Sequence, residues 1–356
     1  VNVKFTLFDI KYILILHSVA EKTKNSILEY LKKMSSLKTW ISAMRLRTLP
    51  LAVSAILLGI AMASLLYRVN SFVALLCLLT AICLQILSNF ANDYGDFIKG
   101  TDNEKRLGNM RALQSGDITI GQMRIAMMVL VLLSLVSGIT LLYTATAGNI
   151  NTNFLLFLLL GIASIVAALK YTVGKNAYGY SGLGDIAVFI FFGPVSVIGT
   201  FLLCSNFAFD WNSNWYIFFP SLSIGLLSTA VLNTNNIRDI ENDFASGKFT
   251  IPVKIGLHKA RIYHSILILL ALLSFCIGLY FVYNHWIQLL VFPAMFLIVK
   301  TCLGVLKTNP SPTYNVFLKQ LSLGILLLVL VFITTSFVAH IIMGVEAFNA
   351  MSRLIQ

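Results

Sequence analysis

Nine continuous apolar stretches constrain this chain more than any other feature. They fall at about 49–66, 71–91, 125–147, 153–170, 183–205, 215–233, 262–283, 285–306 and 319–343. A spanning helix takes roughly 20 predominantly apolar residues. The alternating apolar and polar ten-mers of a transmembrane barrel are missing. The expectation is therefore an all-α integral membrane protein, a nine-transmembrane-helix bundle. Only 11% of residues are charged, against about 25% in soluble domains. That excludes a soluble cytosolic enzyme, a coiled coil and a disordered chain.

Charge sets the expected orientation. Of 26 Lys and Arg residues, all but Arg68 and Arg353 fall before the first stretch, at 92–124, 170–182 and 234–261, or at the paired ends near 300–319. Cytoplasmic loops carry this excess. The N-terminus and the large loops are thus expected in the cytoplasm and, after an odd number of crossings, the C-terminus outside. The pI near 9.5 then reflects topology, and no nucleic-acid partner is implied. Membrane lipid is the expected surroundings, and the cell inner (cytoplasmic) membrane the expected location.

The carboxylates need a separate reason. Apart from Asp210 and Glu346, all 14 acidic residues lie on that same side, which topology does not require. At the end of the second stretch stand Asn92, Asp93, Asp96, Lys99 and Asp102; at the end of the sixth stand Asn235, Asp239 and Asp243. If each helix continues into its polar end, Asn92 and Asp96 share a face, as do Asn235, Asp239 and Asp243. One such end is an ordinary solvated terminus. Two with the same N-x-x-x-D spacing, at the same mouth, point to a bound ligand. Hard oxygens in carboxylate pairs suit Mg²⁺, which also takes substrate phosphates. Arg106 and Arg111 follow the first cluster, Lys248 and Lys254 the second, and Lys170 ends the fourth stretch. Cations around an oxygen-ligated metal suit a diphosphate. In a membrane cavity the diphosphate of a lipid is the natural substrate, with ionisation of the allylic C–O bond as the chemistry.

These residues resemble the two Asp-rich motifs of the UbiA superfamily of intramembrane prenyltransferases, from about Trp40 to His340. Asn92 to Asp102, Arg111 to Gly116, Asn235 to Asp239 and Gly247 to Thr250 are similar to the branch that prenylates 1,4-dihydroxy-2-naphthoate. The resemblance implies transfer of a polyprenyl group from polyprenyl diphosphate to 1,4-dihydroxy-2-naphthoate with loss of the carboxylate, a step of menaquinone biosynthesis. It implies Mg²⁺ and diphosphate held by Asn92, Asp96, Asp102, Asn235, Asp239 and Asp243, with Asp96, Asp239 and Asp243 catalytic. It places Lys99, Arg106, Arg111, Lys170, Tyr171 and Lys248 on the diphosphate and Arg47 on the aromatic carboxylate. The chain departs from the broader pattern at Gly100, where a third aspartate is usual, and at Asn109 and Val173.

Other acceptors, such as 4-hydroxybenzoate, leave the same motifs in place. A secondary transporter is the reading from another class, but both acidic ends face one side, which inverted repeats would not produce. Residues 1–39 form an extension without a counterpart in the pattern, 40–345 the membrane domain and 346–356 a short tail. The extension is either untranslated, with the start at Met34, or an interfacial helix with Ile27, Leu31 and Met34 on one face. The cysteines and histidines have no ligand spacing. Pro194 and Pro293 are expected to kink their helices.

Overall fold

The computed structural model describes residues 7–104 and 106–355, with side chains at 16–27, 37–104 and 106–344. Among them there is no strand. The helices are α1 (Leu7–Ala43), α2 (Leu49–Ser64), α3 (Ser71–Ile98), α4 (Ile120–Ala145), α5 (Thr152–Lys170), α6 (Gly184–Cys204), α7 (Trp211–Arg238), α8 (Ile240–Ala245), α9 (Ile251–Val282), α10 (Trp286–Lys307) and α11 (Tyr314–Ile355). Eight of the described helices are long and apolar enough to cross a membrane. The first apolar stretch forms α2, which has 16 residues and at 1.5 Å per residue is about 24 Å long. Ile27 is exposed, whereas the side chains of Leu31 and Met34 lie outside the described residues.

Local chemistry sets the boundaries. Asn70, Thr119 and Asn151 each cap a following helix by accepting from its first turn, and Thr119 with Gln122 closes a capping box. Pro194 lies inside α6, where residues Phe191–Ile198 widen into a π-helix. The wider turn accommodates a residue that lacks an N–H and crowds the preceding carbonyls. Pro293 instead occupies the first turn of the regular helix Val291–Lys307. Its missing N–H costs nothing there.

α7 packs mainly on α9, and α2 sits among α3, α6 and α11. Of the long helices α7 is the most buried and α5 the most exposed. One apolar core joins α2, α6, α7, α9, α10 and α11 with the start of α3, the end of α4 and the start of α5. A second joins the end of α1 to the polar half of α3, α4 and α5. The two cores flank a cavity, so the polar ends of α3 and α7 meet across it.

Close backbone approach fixes that meeting. Thr172, just past α5, donates through Oγ1 to the Ala91 carbonyl at 2.7 Å. A Cβ on Gly95 would lie 2.6 Å from the Thr172 carbonyl. Gly95→Ala is expected to destabilise the protein by about 1–3 kcal/mol, since overpacking must push backbone aside. A thermal melt in detergent reads this; an unchanged midpoint would mean that α3 yields freely.

Candidate active site

The cavity has a volume of about 370 Å³. Its apolar part is lined by residues such as Ile56, Leu84, Ile139, Phe157, Phe191 and Val231. Its polar end is lined by Arg45, Arg47, Asn92, Asp96, Arg106, Arg111, Tyr171, Asn235, Asp239 and Lys248. Five cations and two carboxylates thus line this end, and Asp93 and Asp102 behind the wall pair with Arg45, Arg106 and Arg111.

α3 remains helical through Asn92 and Asp96, as the spacing predicts, and ends at Ile98. Gly100 then turns the chain at φ +72, a conformation that an aspartate enters only at a cost. This accounts for glycine where the broader pattern has a third carboxylate. The turn returns the Thr101 amide to the Asp96 carbonyl at 2.9 Å. Asp96 accepts from Tyr180 Oη at 2.7 Å and from Lys248 Nζ at 3.2 Å. Lys99 lies 3.7 Å over the Tyr180 ring, beside the cavity rather than in it.

The second motif differs from its expected ladder. α7 stops at Arg238, because Asp239 adopts φ −99, ψ 16, and α8 starts anew. Asn235 and Asp239 line the cavity, while Asp243 is buried behind it. Burial, reinforced by the charges of Asp239 and Asp96, pushes the Asp243 carboxyl up to about 7 against the opposing pull of Lys248. Burial alone would favour neutral Lys248, but Asp96 and Asp243 outweigh it and raise its pKa. Burial also opposes ionisation of Asp239, but the Arg238 hydrogen bonds and charge hold it below the usual carboxylate range.

Arg238 is fully buried. It grips Asp239 through two bonds of 2.9 and 2.5 Å, Asn235 Oδ1 at 2.9 Å and Asn315 Oδ1 at 2.7 Å. Arg106 bridges the clusters, 3.2 Å from Asp102 and 3.6 Å from Asp239. Asp102 is buried off the cavity and pairs with Arg106 and, at 4.0 Å, Arg111. Lys170 is exposed outside the cavity, and Lys254 donates to the Ser181 carbonyl at 2.6 Å.

Several residues here were given no site role from the sequence. Arg45 adopts φ +51 in the turn between α1 and α2, a conformation unusual for a non-glycine residue. It reaches Asn92 Oδ1 at 2.6 Å and pairs with Asp93. Asp93 also takes Arg111 at 3.4 Å. Burial and the Arg45 charge lower the Arg111 pKa to about 9. Arg45, Asp93, Tyr180, Arg238 and Asn315 are joined only by folding; Asp93 and Arg238 lie within the two motifs, whereas nothing local marks Tyr180 or Asn315.

The donor set fits Mg²⁺ in part of its coordination. Among the described residues no three His, Cys, Asp or Glu side chains gather as a metal cage. Asn92, Asp96, Asn235 and Asp239 instead put two carboxylates and two amides on one polar end. Magnesium commonly takes one or two carboxylates and completes its shell with water and substrate phosphate.

The family model for the UbiA prenyltransferase family matches residues 52–323. The chain is 39% identical over 314 residues to the 1,4-dihydroxy-2-naphthoate octaprenyltransferase of Escherichia coli K12, covering 87% of this chain and 98% of that protein. It is 40% identical over 305 residues to the Haemophilus influenzae protein of the same name, covering 85% and 97%. Among solved structures, a UbiA homologue from Aeropyrum pernix K1 matches with TM-score 0.59 at 17% identity, over 82% of this chain and 98% of that one. A UbiA homologue from Archaeoglobus fulgidus, bound to DMAPP and Mg²⁺, matches with TM-score 0.51 at 17% identity, over 83% and 98%.

Proposed function

The chain belongs to the UbiA prenyltransferase family, and on that premise we propose that it transfers a polyprenyl group from polyprenyl diphosphate to 1,4-dihydroxy-2-naphthoate. Loss of the naphthoate carboxylate accompanies the transfer, which serves menaquinone biosynthesis. The single observation that carries this reading is one cavity with five cations and two carboxylates at one end and an apolar wall at the other. It sits in a chain about 40% identical to naphthoate octaprenyltransferases over nearly their whole length.

Arg106, Arg111 and Lys248 bind the diphosphate and favour the charge that develops on it as the C–O bond breaks. Asn92, Asp96, Asn235 and Asp239 would hold Mg²⁺, which when bound would supply positive charge to the diphosphate. Asp96, with Asp243 behind it, keeps Lys248 charged. Tyr171 forms the wall where the polar and apolar parts meet, and the apolar part takes the first isoprene units and excludes water from the allylic cation. Arg47 takes the acceptor's carboxylate. Lys99, Lys170 and Asp102 belong to the surrounding charge field, with Asp102 fixing Arg106 and Arg111.

The protein is a multi-pass membrane protein. We place it in the cytoplasmic membrane with α2 as the ninth crossing, the active site facing the cytoplasm and the C-terminus outside, because Lys and Arg concentrate on one side.

Purified protein in detergent, given 1,4-dihydroxy-2-naphthoate and octaprenyl diphosphate, is expected to yield the prenylated, decarboxylated product by mass spectrometry. Chelation with EDTA is expected to lower the rate at least about 100-fold, with recovery on adding excess Mg²⁺. Product from 4-hydroxybenzoate alone would move the acceptor. Full activity in EDTA would refute the metal assignment.

A further inference from the structure

Each other cation lining the polar end has a carboxylate partner: Arg45 pairs with Asp93, Arg106 with Asp102 and Asp239, Arg111 with Asp93 and Asp102, and Lys248 with Asp96. Arg47 lines the same end and makes no ion pair among the described residues. Its side-chain hydrogen bond goes to a neutral group, from Nη1 to Asn315 Oδ1 at 3.4 Å. The same oxygen accepts from Arg238 Nη1 at 2.7 Å. One amide oxygen, from the first turn of α11, therefore joins the guanidinium that clamps Asp239 and Asn235 to the guanidinium at the mouth.

Asn315 is itself held firmly. Its neighbour Tyr314 is fully buried and donates Oη to the carbonyls of Val305 at 3.1 Å and Thr308 at 2.9 Å. This pins the start of α11 to the end of α10. The amide projects from a fixed point, so its oxygen defines where both guanidiniums rest. A carboxylate at that point would hold them as well, but would spend the charge of Arg47 on an internal pair. An amide orients without neutralising.

We propose that Asn315 is a positioning and specificity-determining residue: it aims Arg47 into the cavity and, being uncharged, leaves that guanidinium free for the carboxylate of an anionic aromatic acceptor. This rests on the proposed acceptor, 1,4-dihydroxy-2-naphthoate. The order of the parts makes sense chemically. The motif cations are balanced by motif carboxylates until the diphosphate arrives, whereas the acceptor anion meets a cation already unpaired. The last helix of the bundle thereby contributes to acceptor recognition, although its first turn carries no charged residue.

The test is calorimetric titration of 1,4-dihydroxy-2-naphthoate into the full-length protein in detergent, with N315D, R47M and the double variant, beside steady-state kinetics. N315D is isosteric and keeps the oxygen that both arginines need. It is expected to weaken naphthoate binding about tenfold and raise its KM similarly, while kcat at saturation stays within about threefold. In the R47M background, N315D is expected to change binding by less than about twofold, because the two residues act as one unit. A purely structural role would lower kcat with KM, or add to the R47M effect. Wild-type affinity in N315D, or additive losses in the double variant, would overturn the inference while leaving the reaction intact. Wild-type protein that neither binds nor prenylates the naphthoate would overturn the acceptor assignment itself, and this inference with it.

Discussion

Asparagine in place of Asp96 or Asp239 is expected to lower kcat/KM by at least about 1,000-fold. The argument is charge and position, since the amide is nearly isosteric. Each carboxylate lines the polar end of the cavity, on α3 and just past α7. Removing a single preorganised electrostatic contact typically costs about 100–1,000-fold, and here the metal would lose one of the two carboxylates that can bind it. The two variants should differ in stability. Asp96 shares its oxygens with the Tyr180 hydroxyl and Lys248, and an asparagine Oδ1 can still accept from the tyrosine. Asp239 is the counter-charge of Arg238, which is 1% exposed. Breaking one partner of a buried pair costs about 3–5 kcal/mol. Asp96 likewise pairs with buried Lys248, but Asp243 stays beside that lysine as a second counter-charge, so both variants should melt below the parent, D239N the lower, and both lose activity. Wild-type turnover by D96N in folded protein would remove Asp96 from the site.

Asp93→Leu is expected to destabilise the protein by about 3–5 kcal/mol, or to prevent its accumulation, for the same electrostatic reason. The Asp93 side chain is 1% exposed and receives both Arg45 and Arg111. Without it, buried Arg111 and half-buried Arg45 face each other, with Asp102, 4.0 Å from Arg111, as a remaining carboxylate. Asp93 does not line the main cavity, so loss of activity would follow from a displaced arginine wall. A melting curve in detergent separates this from a ligand role. Asp93→Asn, which keeps the oxygen acceptor, should fall between Asp93→Leu and the parent. A Leu variant melting with the parent would mean that Arg45 and Arg111 find their counter-charge elsewhere.

Much of the polar end was legible because helical periodicity makes spacing into geometry. Asn92 and Asp96 share a face since α3 stays helical through both. The corresponding step at Asp239 failed. Arg238 chelates Asp239 and takes Asn315 from α11, 77 residues away, and the helix ends there. No local pattern announces that partner. Asp243 was placed by spacing and Asp102 only by the family resemblance, yet neither lines the cavity, one lying past the restart at α8 and the other past the left-handed Gly100. Lys170 and Arg111 read alike as loop cations; only packing exposes the first and buries the second.

The sequence by itself determined that the chain is an apolar helical bundle with two oxygen-rich helix ends among cations. Hydrophobic length, one-sided basic loops and i, i+4 spacing are all local properties. It also carried the family, because the motifs are contiguous. Tertiary structure alone decided which carboxylates face the cavity, which serve as counter-charges for buried arginines, and that Arg47 is left without one. Some of those pairs are local, such as Arg238 with Asp239 and Arg106 with Asp102, but Arg45 with Asp93, Arg106 with Asp239, Lys248 with Asp96 and Arg47 with Asn315 join distant parts of the chain, where the cost of burying an unpaired charge selects the partner. No feature within a single helix encodes that choice.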